Sequence, residues 1–219
     1  MDLIERTRGF VAEVLADEPS THDISHIERV EALCLEIREK EGGDLKVLRL
    51  AALLHDIGIV REHREGGNHA EYGAETAREF LSAEGVESEL IEHVASCILT
   101  HRFSRGMKAE TTEACILQDA DRLDALGAVG IFRSLVSMGA LRALKNSIGT
   151  VKETSMNAYT DNPFDGFYDY MEKKPFRIMD RLNTETAKVI AEQRLRIMHL
   201  YLEELKREAN QEKQKWLIS

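Results

Sequence analysis

Four ionisable residues stand where helical periodicity calls for apolar ones. His26 shares a face with Val30, Leu33 and Ile37, the i, i+4, i+7 and i+11 positions of an inward stripe. His55 and Asp56 close the apolar segment LKVLRLAALLHDIG, on the face of Leu48 and Ala52 and just ahead of Gly58. Asp121 aligns with Ala114, Leu117, Ala125 and Ala128, which sets a carboxylate among small apolar residues. Burying an ionised carboxylate or an unsatisfied imidazole costs several kcal/mol unless something compensates it. A divalent cation offsets all four groups at once, and two imidazoles with two carboxylates suit manganese, iron, nickel, cobalt or zinc. One ion per chain is expected, with coordination positions left open for water and a phosphate oxygen. A hydrogen-bonded polar cluster without metal is the other arrangement that periodicity allows.

The elements that must position these residues are helices. Apolar residues recur at helical spacing almost throughout, strict alternation over a strand's length is absent, and the chain has only 3 Pro. The fold class expected is all-α, with helices near residues 2–17, 23–40, 44–57, 69–84, 87–100, 111–126, 128–145 and 184–208. Glu18-Pro19-Ser20 ends the first. Gly42-Gly43 with Asp44, and Gly66-Gly67 with Asn68, each end one element and cap the next, while Gly85 and Gly106 mark turns. Residues 151–170 hold Asn162-Pro163, Asp165-Gly166 and four aromatic residues, and read as an ordered irregular surface loop. A single domain over 1–219 is expected, its core about 20–145 and its C-terminal helix about 184–208.

The pattern resembles the HD superfamily of phosphohydrolases, whose ligands are a His, an adjacent His-Asp and a distant Asp. Here these match His26, His55, Asp56 and Asp121. THDISHIERV, LAALLHDIG and QDADRLDALGAVGIFR are similar to segments of the small stand-alone bacterial and archaeal members, and NTETAKVIAEQR to their C-terminal helix. The resemblance implies an HD-domain helical bundle with a C-terminal helical extension. It also implies a metal-activated water attacking a phosphate ester or anhydride, with Asp56 as the catalytic residue orienting that water. The substrate class it implies is a phosphorylated small molecule, a nucleotide, cleaved by a monophosphatase or a nucleoside triphosphate pyrophosphohydrolase. The alternative is a metal-containing nucleotide-sensing or scaffold protein that keeps the fold without turnover.

Other residues are candidates for supporting parts. His69 opens a helix after a Gly-rich loop and His101 ends another; either could bind substrate phosphate, and extra histidines in this stretch complete a second metal site in dinuclear members of the superfamily. Arg61 and Arg64, in the polar loop after the His-Asp pair, are candidates to clamp an anion bidentately, and Glu75 to orient a water. His22-Asp23 is a second His-Asp dipeptide, but Asp23 there reads as a residue of a helix's first turn. His22, Asp119 and Asp124 are candidates to hydrogen-bond the ligands rather than bind metal themselves.

Composition narrows the partners. A net charge of -10 opposes attraction to nucleic-acid polymers and to anionic membranes, so the charge of a phosphate substrate must be met locally. Cys34, Cys97 and Cys115 form no CxxC pattern, which argues against thiolate zinc or a disulfide framework. The acidic start MDLIERTRGFVAEVL and the lack of a membrane-length apolar run lead to a cytoplasmic expectation, with homodimerisation as one assembly open to the chain.

Overall fold

Leu48, Leu50, Ala51, Ala52, Leu53 and Leu54 are all fully buried, and they follow one another along a single helix. Five consecutive buried residues, Leu50 to Leu54, cover every side of a helix's end, which must then lie at a centre. This is α3 (Leu45–Leu54), which packs against α1 (Leu3–Val14), α2 (Ile24–Glu41), α5 (His69–Ala83), α6 (Ser88–Thr100) and α7 (Thr112–Asp124). Each buried leucine contributes about 1.5–3 kcal/mol relative to exposure. The short α4 (Ile59–Glu65) lies against α5. The computed structural model describes residues 2–16, 21–102, 107–148 and 163–216, and no strand occurs among them.

The chain divides into two compact units, Met1–Asp124 with Leu182–Ala187, and Ala125–Arg181 with Lys188–Ser219. The first contains α1 to α7. Its helices begin on short polar caps: Asp23 accepts from His26 N, Asp44 from Lys46 N and Val47 N, and Asn68 from Ala70 N. Leu182–Ala187 is tied in by two carboxylates. Asp119 accepts from the backbone of Asn183 and Thr184 and from the Thr184 hydroxyl, and Glu41 accepts from Thr186 N and Oγ1. The second unit contains α8 (Gly127–Ile148), α9 (Pro163–Lys173), two 3-10 turns (Pro175–Arg177 and Met179–Arg181) and most of α10 (Glu185–Trp216).

The helical expectation holds, with three corrections of detail. The polar stretch bearing Arg61 and Arg64 is helix α4, not a loop; its seven residues lie between Gly58 and Gly66 and are too few and too polar to show an apolar stripe. Residues 163–170, expected in the irregular loop, begin α9. Pro163 starts a helix rather than breaking one, and Phe164, Phe167, Tyr168 and Met171 recur at helical spacing with Phe167 and Met171 buried. The last helix runs on to Trp216 instead of ending near 208. The turns placed at Pro19-Ser20 and Gly106, and residues 151–162 of the expected loop, lie outside the described residues. No helix among the described residues is long and apolar enough to cross a membrane.

Candidate metal-binding site

His55 and His101 each follow the last residue of a helix, α3 and α6, where the final carbonyls have no intrahelical donor. The imidazoles supply one. His55 Nδ1 donates to the Ala52 carbonyl at 2.8 Å and His101 Nδ1 to the Ile98 carbonyl at 2.6 Å. A carbonyl only accepts, so each Nδ1 carries a ring proton and each Nε2 is the nitrogen left to face the cluster. Both rings are buried. The negative ends of two helix dipoles meet at the same place, which favours positive charge there.

Carboxylates treat His26 and His69 in the same way. His26, in the first turn of α2, donates through Nδ1 to Asp124 Oδ2 at 2.7 Å, and Arg29 grips Asp124 at 2.7 and 3.0 Å. His69, the first residue of α5, donates through Nδ1 to Glu62 Oε2 at 2.7 Å, and Arg102 donates to Glu62 Oε1 at 2.7 Å.

The four Nε2 atoms surround Asp56. His26 Nε2 and His55 Nε2 are 3.3 Å apart and each is 3.4 Å from Asp56 Oδ2, while Asp121 Oδ1 is 3.5 Å from His26 Nε2. From the other side, His69 Nε2 and His101 Nε2 lie 3.5 and 3.4 Å from Asp56 Oδ1. Lone pairs and carboxylate oxygens converging at such distances repel unless a cation or a proton lies among them. Two sets of atoms are spaced to hold an ion, His26 with His55 and Asp121, and Asp56 with His69 and His101. A third set, His22 with His26 and Asp56, overlaps the first. Imidazole nitrogens mixed with carboxylate oxygens, and no thiolate, fit a divalent transition ion.

The electrostatics agree. Burial works to lower the pKa of His26, yet hydrogen bonds to Asp121, Asp124 and Asp56 outweigh it and raise the group to about 10. Burial would raise Asp56, but the charges of His55 and His22 and the hydrogen bonds from His101 and His22 hold it well below the ordinary carboxylate range. Asp121 is likewise lowered against its burial, chiefly by its hydrogen bond with His26. The cluster keeps its carboxylates ionised and draws in positive charge.

Residues 23–126 match the HD domain. YpgQ of Bacillus subtilis is 32% identical over 208 residues, which is 93% of this chain and 92% of that protein. The chain belongs to the HD superfamily. Among solved structures, the crystal structure of B. subtilis YpgQ in complex with ADP is similar with a TM-score of 0.69 and 30% identity, covering 94% of this chain and 97% of that one. An HD-superfamily hydrolase from Bacillus thuringiensis gives a TM-score of 0.68 at 32% identity, covering 94% and 96%.

His26, His55, Asp56, Asp121, His69 and His101 all fall within the HD match. The structure brings these six together. His22 joins them from the start of α2, its Nδ1 donating to Asp56 Oδ2 at 2.6 Å, with 37% of its side chain exposed. Asp121 is 21% exposed, so these two border the open side of the HD cluster. Asp124 supports His26 as described, whereas Asp119 faces Asn183 and Thr184. Arg61 pairs with Glu65 and Glu75 and lies over the Tyr72 ring, so that Arg61 and Glu75 engage each other on an exposed surface. Arg64 is exposed on α4. Sequence reasoning missed Arg29, Glu62 and Arg102. None lies on an apolar stripe, and the contacts of Arg29 with Asp124 and of Arg102 with Glu62 span 95 and 40 residues.

Proposed function

We propose that this HD protein is a metal-dependent phosphohydrolase that uses water to split a phosphate ester or anhydride bond of a nucleotide. The observation that carries the reading is the buried Asp56 carboxylate, with a ligand set on each of its two oxygens. His26, His55, Asp56 and Asp121 would hold the first divalent ion. The sequence suggested a single ion, but the second set supports a second, which Asp56, His69 and His101 would hold. When bound, such an ion supplies Lewis acidity, lowering the pKa of water from about 15.7 toward about 7 and drawing charge from a phosphoryl oxygen.

The chain's own residues supply position. Asp56 accepts a hydrogen bond from the attacking water and aims it in line with the leaving group. The hydrogen bonds behind His26, His55, His69 and His101 fix the ring planes, so that the ligands need no reorganisation when substrate arrives. His22 and Asp121 border the side from which a phosphate enters. The similarity to YpgQ, whose crystal structure holds ADP, supports a nucleotide as substrate, either a monophosphate ester or a triphosphate cleaved to monophosphate and pyrophosphate.

The test is a panel of nucleoside mono-, di- and triphosphates, offered to protein loaded in turn with manganese, cobalt, nickel, zinc or iron, with phosphate and pyrophosphate both measured. Turnover of one class that depends on the added ion is expected. Nucleotide binding with no product under any ion would instead identify a nucleotide-sensing or scaffold protein.

A further inference from the structure

Two chains of hydrogen bonds reach the cluster from outside, and each consists of an arginine, a carboxylate and a histidine. Arg29, Asp124 and His26 serve the first ligand set. Arg102, Glu62 and His69 serve the second. They share no residue, and they approach opposite oxygens of Asp56.

The Arg102 chain controls His69 at two levels. Glu62 Oε2 accepts from His69 Nδ1 at 2.7 Å, but one hydrogen bond leaves a carboxylate free to rotate about its last torsion. Arg102 Nη1 removes that freedom by donating to the other oxygen, Oε1, at 2.7 Å. The same Nη1 donates to Asn68 Oδ1 at 3.0 Å, and Asn68 is the cap that accepts from Ala70 N and starts α5 at His69. One guanidinium nitrogen thus fixes both the ring partner of His69 and the backbone turn that delivers it. Glu62 and Arg102 come from α4 and from the residue after His101, so the clamp also ties α4, α5 and the end of α6 together. Their side chains are 17% and 26% exposed, buried enough for the charge-assisted bonds to keep their strength.

We propose that Arg102 and Glu62 form a positioning pair that sets occupancy of the second ion position, Asp56 with His69 and His101, independently of the first. This rests on the two-position reading above. It makes Arg102 and Glu62 positioning residues, since neither is among the atoms spaced to hold an ion.

The experiment is a manganese titration of metal-free protein, reading bound equivalents, with electron paramagnetic resonance at saturation to distinguish coupled from isolated ions. Wild type should take up two equivalents and show a coupled pair. Arg102→Gln and Glu62→Gln should keep the first equivalent at wild-type affinity, weaken the second by about 10–100-fold, and leave an isolated-ion signal. The retained first equivalent, with unchanged far-ultraviolet circular dichroism, reports an intact fold. Variants that bind both equivalents as wild type does, or that weaken both alike, overturn the proposal. A wild type that binds one equivalent also overturns it while leaving the first position standing. Only a wild type that binds none removes the metal-dependent reading itself.

Discussion

His26 offers a direct way to see whether the cluster is built for a cation. In the metal-free protein its pKa is raised to about 10, against an ordinary value of about 6.5. A pKa raised by folding means that the proton on His26 stabilises the fold fully below about pH 6.5, and that this contribution fades as pH rises through about 10. The melting temperature of metal-free protein should therefore fall between about pH 7 and about pH 10, while an ion that replaces the proton keeps the loaded protein stable. Parallel melts with and without manganese should show a gap that widens with pH; a gap independent of pH would count against His26 as a ligand. The position of His26 was legible because Val30, Leu33 and Ile37 mark the inward face of its helix, and the apolar run to Leu54 did the same for His55 and Asp56. Arg29, Glu62 and Arg102 were not legible. A charged residue on a polar helical face gives no periodic signal of the partner it meets across the fold.

Gly58 shows how the elements set these residues against one another. A Cβ there would come within 2.2 Å of the His69 carbonyl oxygen, 2.5 Å of Gly73 N and 2.9 Å of the Tyr72 Cβ. Two of those atoms are backbone, so they cannot rotate away, and α4 and α5 would have to separate. Gly58→Ala should cost about 1–3 kcal/mol in urea unfolding and shift His69 away from Asp56. Wild-type stability in that variant would show that the junction is looser than its geometry. The helix caps at Asp44 and Asn68 were readable because each precedes an apolar periodic run, whereas Asp23, read as a residue of the first turn, is the cap of a helix that starts one position later. α4 and α9 were not. The first has seven residues with no stripe, and the second starts at Pro163 and contains Gly166, a local pattern that also suits a loop; burial of Phe167 and Met171 decides for the helix.

At the scale of the molecule, net charge limits what can approach. With a charge of -10 the protein repels polyanions at long range, and the attraction for phosphate proposed for the metal-loaded cluster would act only over a few ångströms. A short nucleotide should therefore bind, whereas a single-stranded RNA oligomer should show no binding in fluorescence anisotropy even at low salt. Tight RNA binding that weakens steeply with salt would point to a basic surface that the composition does not suggest. The all-helical class was legible from the low proline content and the unbroken helical spacing. The return of Leu182–Ala187 to the first unit was not, because it depends on Asp119 and Glu41 meeting residues 64 or more positions later in the chain.

An ion held by His26, His55, Asp56 and Asp121 would give this chain its proposed phosphohydrolase activity. The most direct test measures bound metal and nucleotide hydrolysis on the same samples, for wild type and Asp121→Ala, after chelation and again after stepwise return of manganese. Activity that is absent after chelation, rises in proportion to bound metal in wild type and stays absent in Asp121→Ala is the predicted result. Hydrolysis that survives in the chelated protein, or in the variant at wild-type rates, would contradict it.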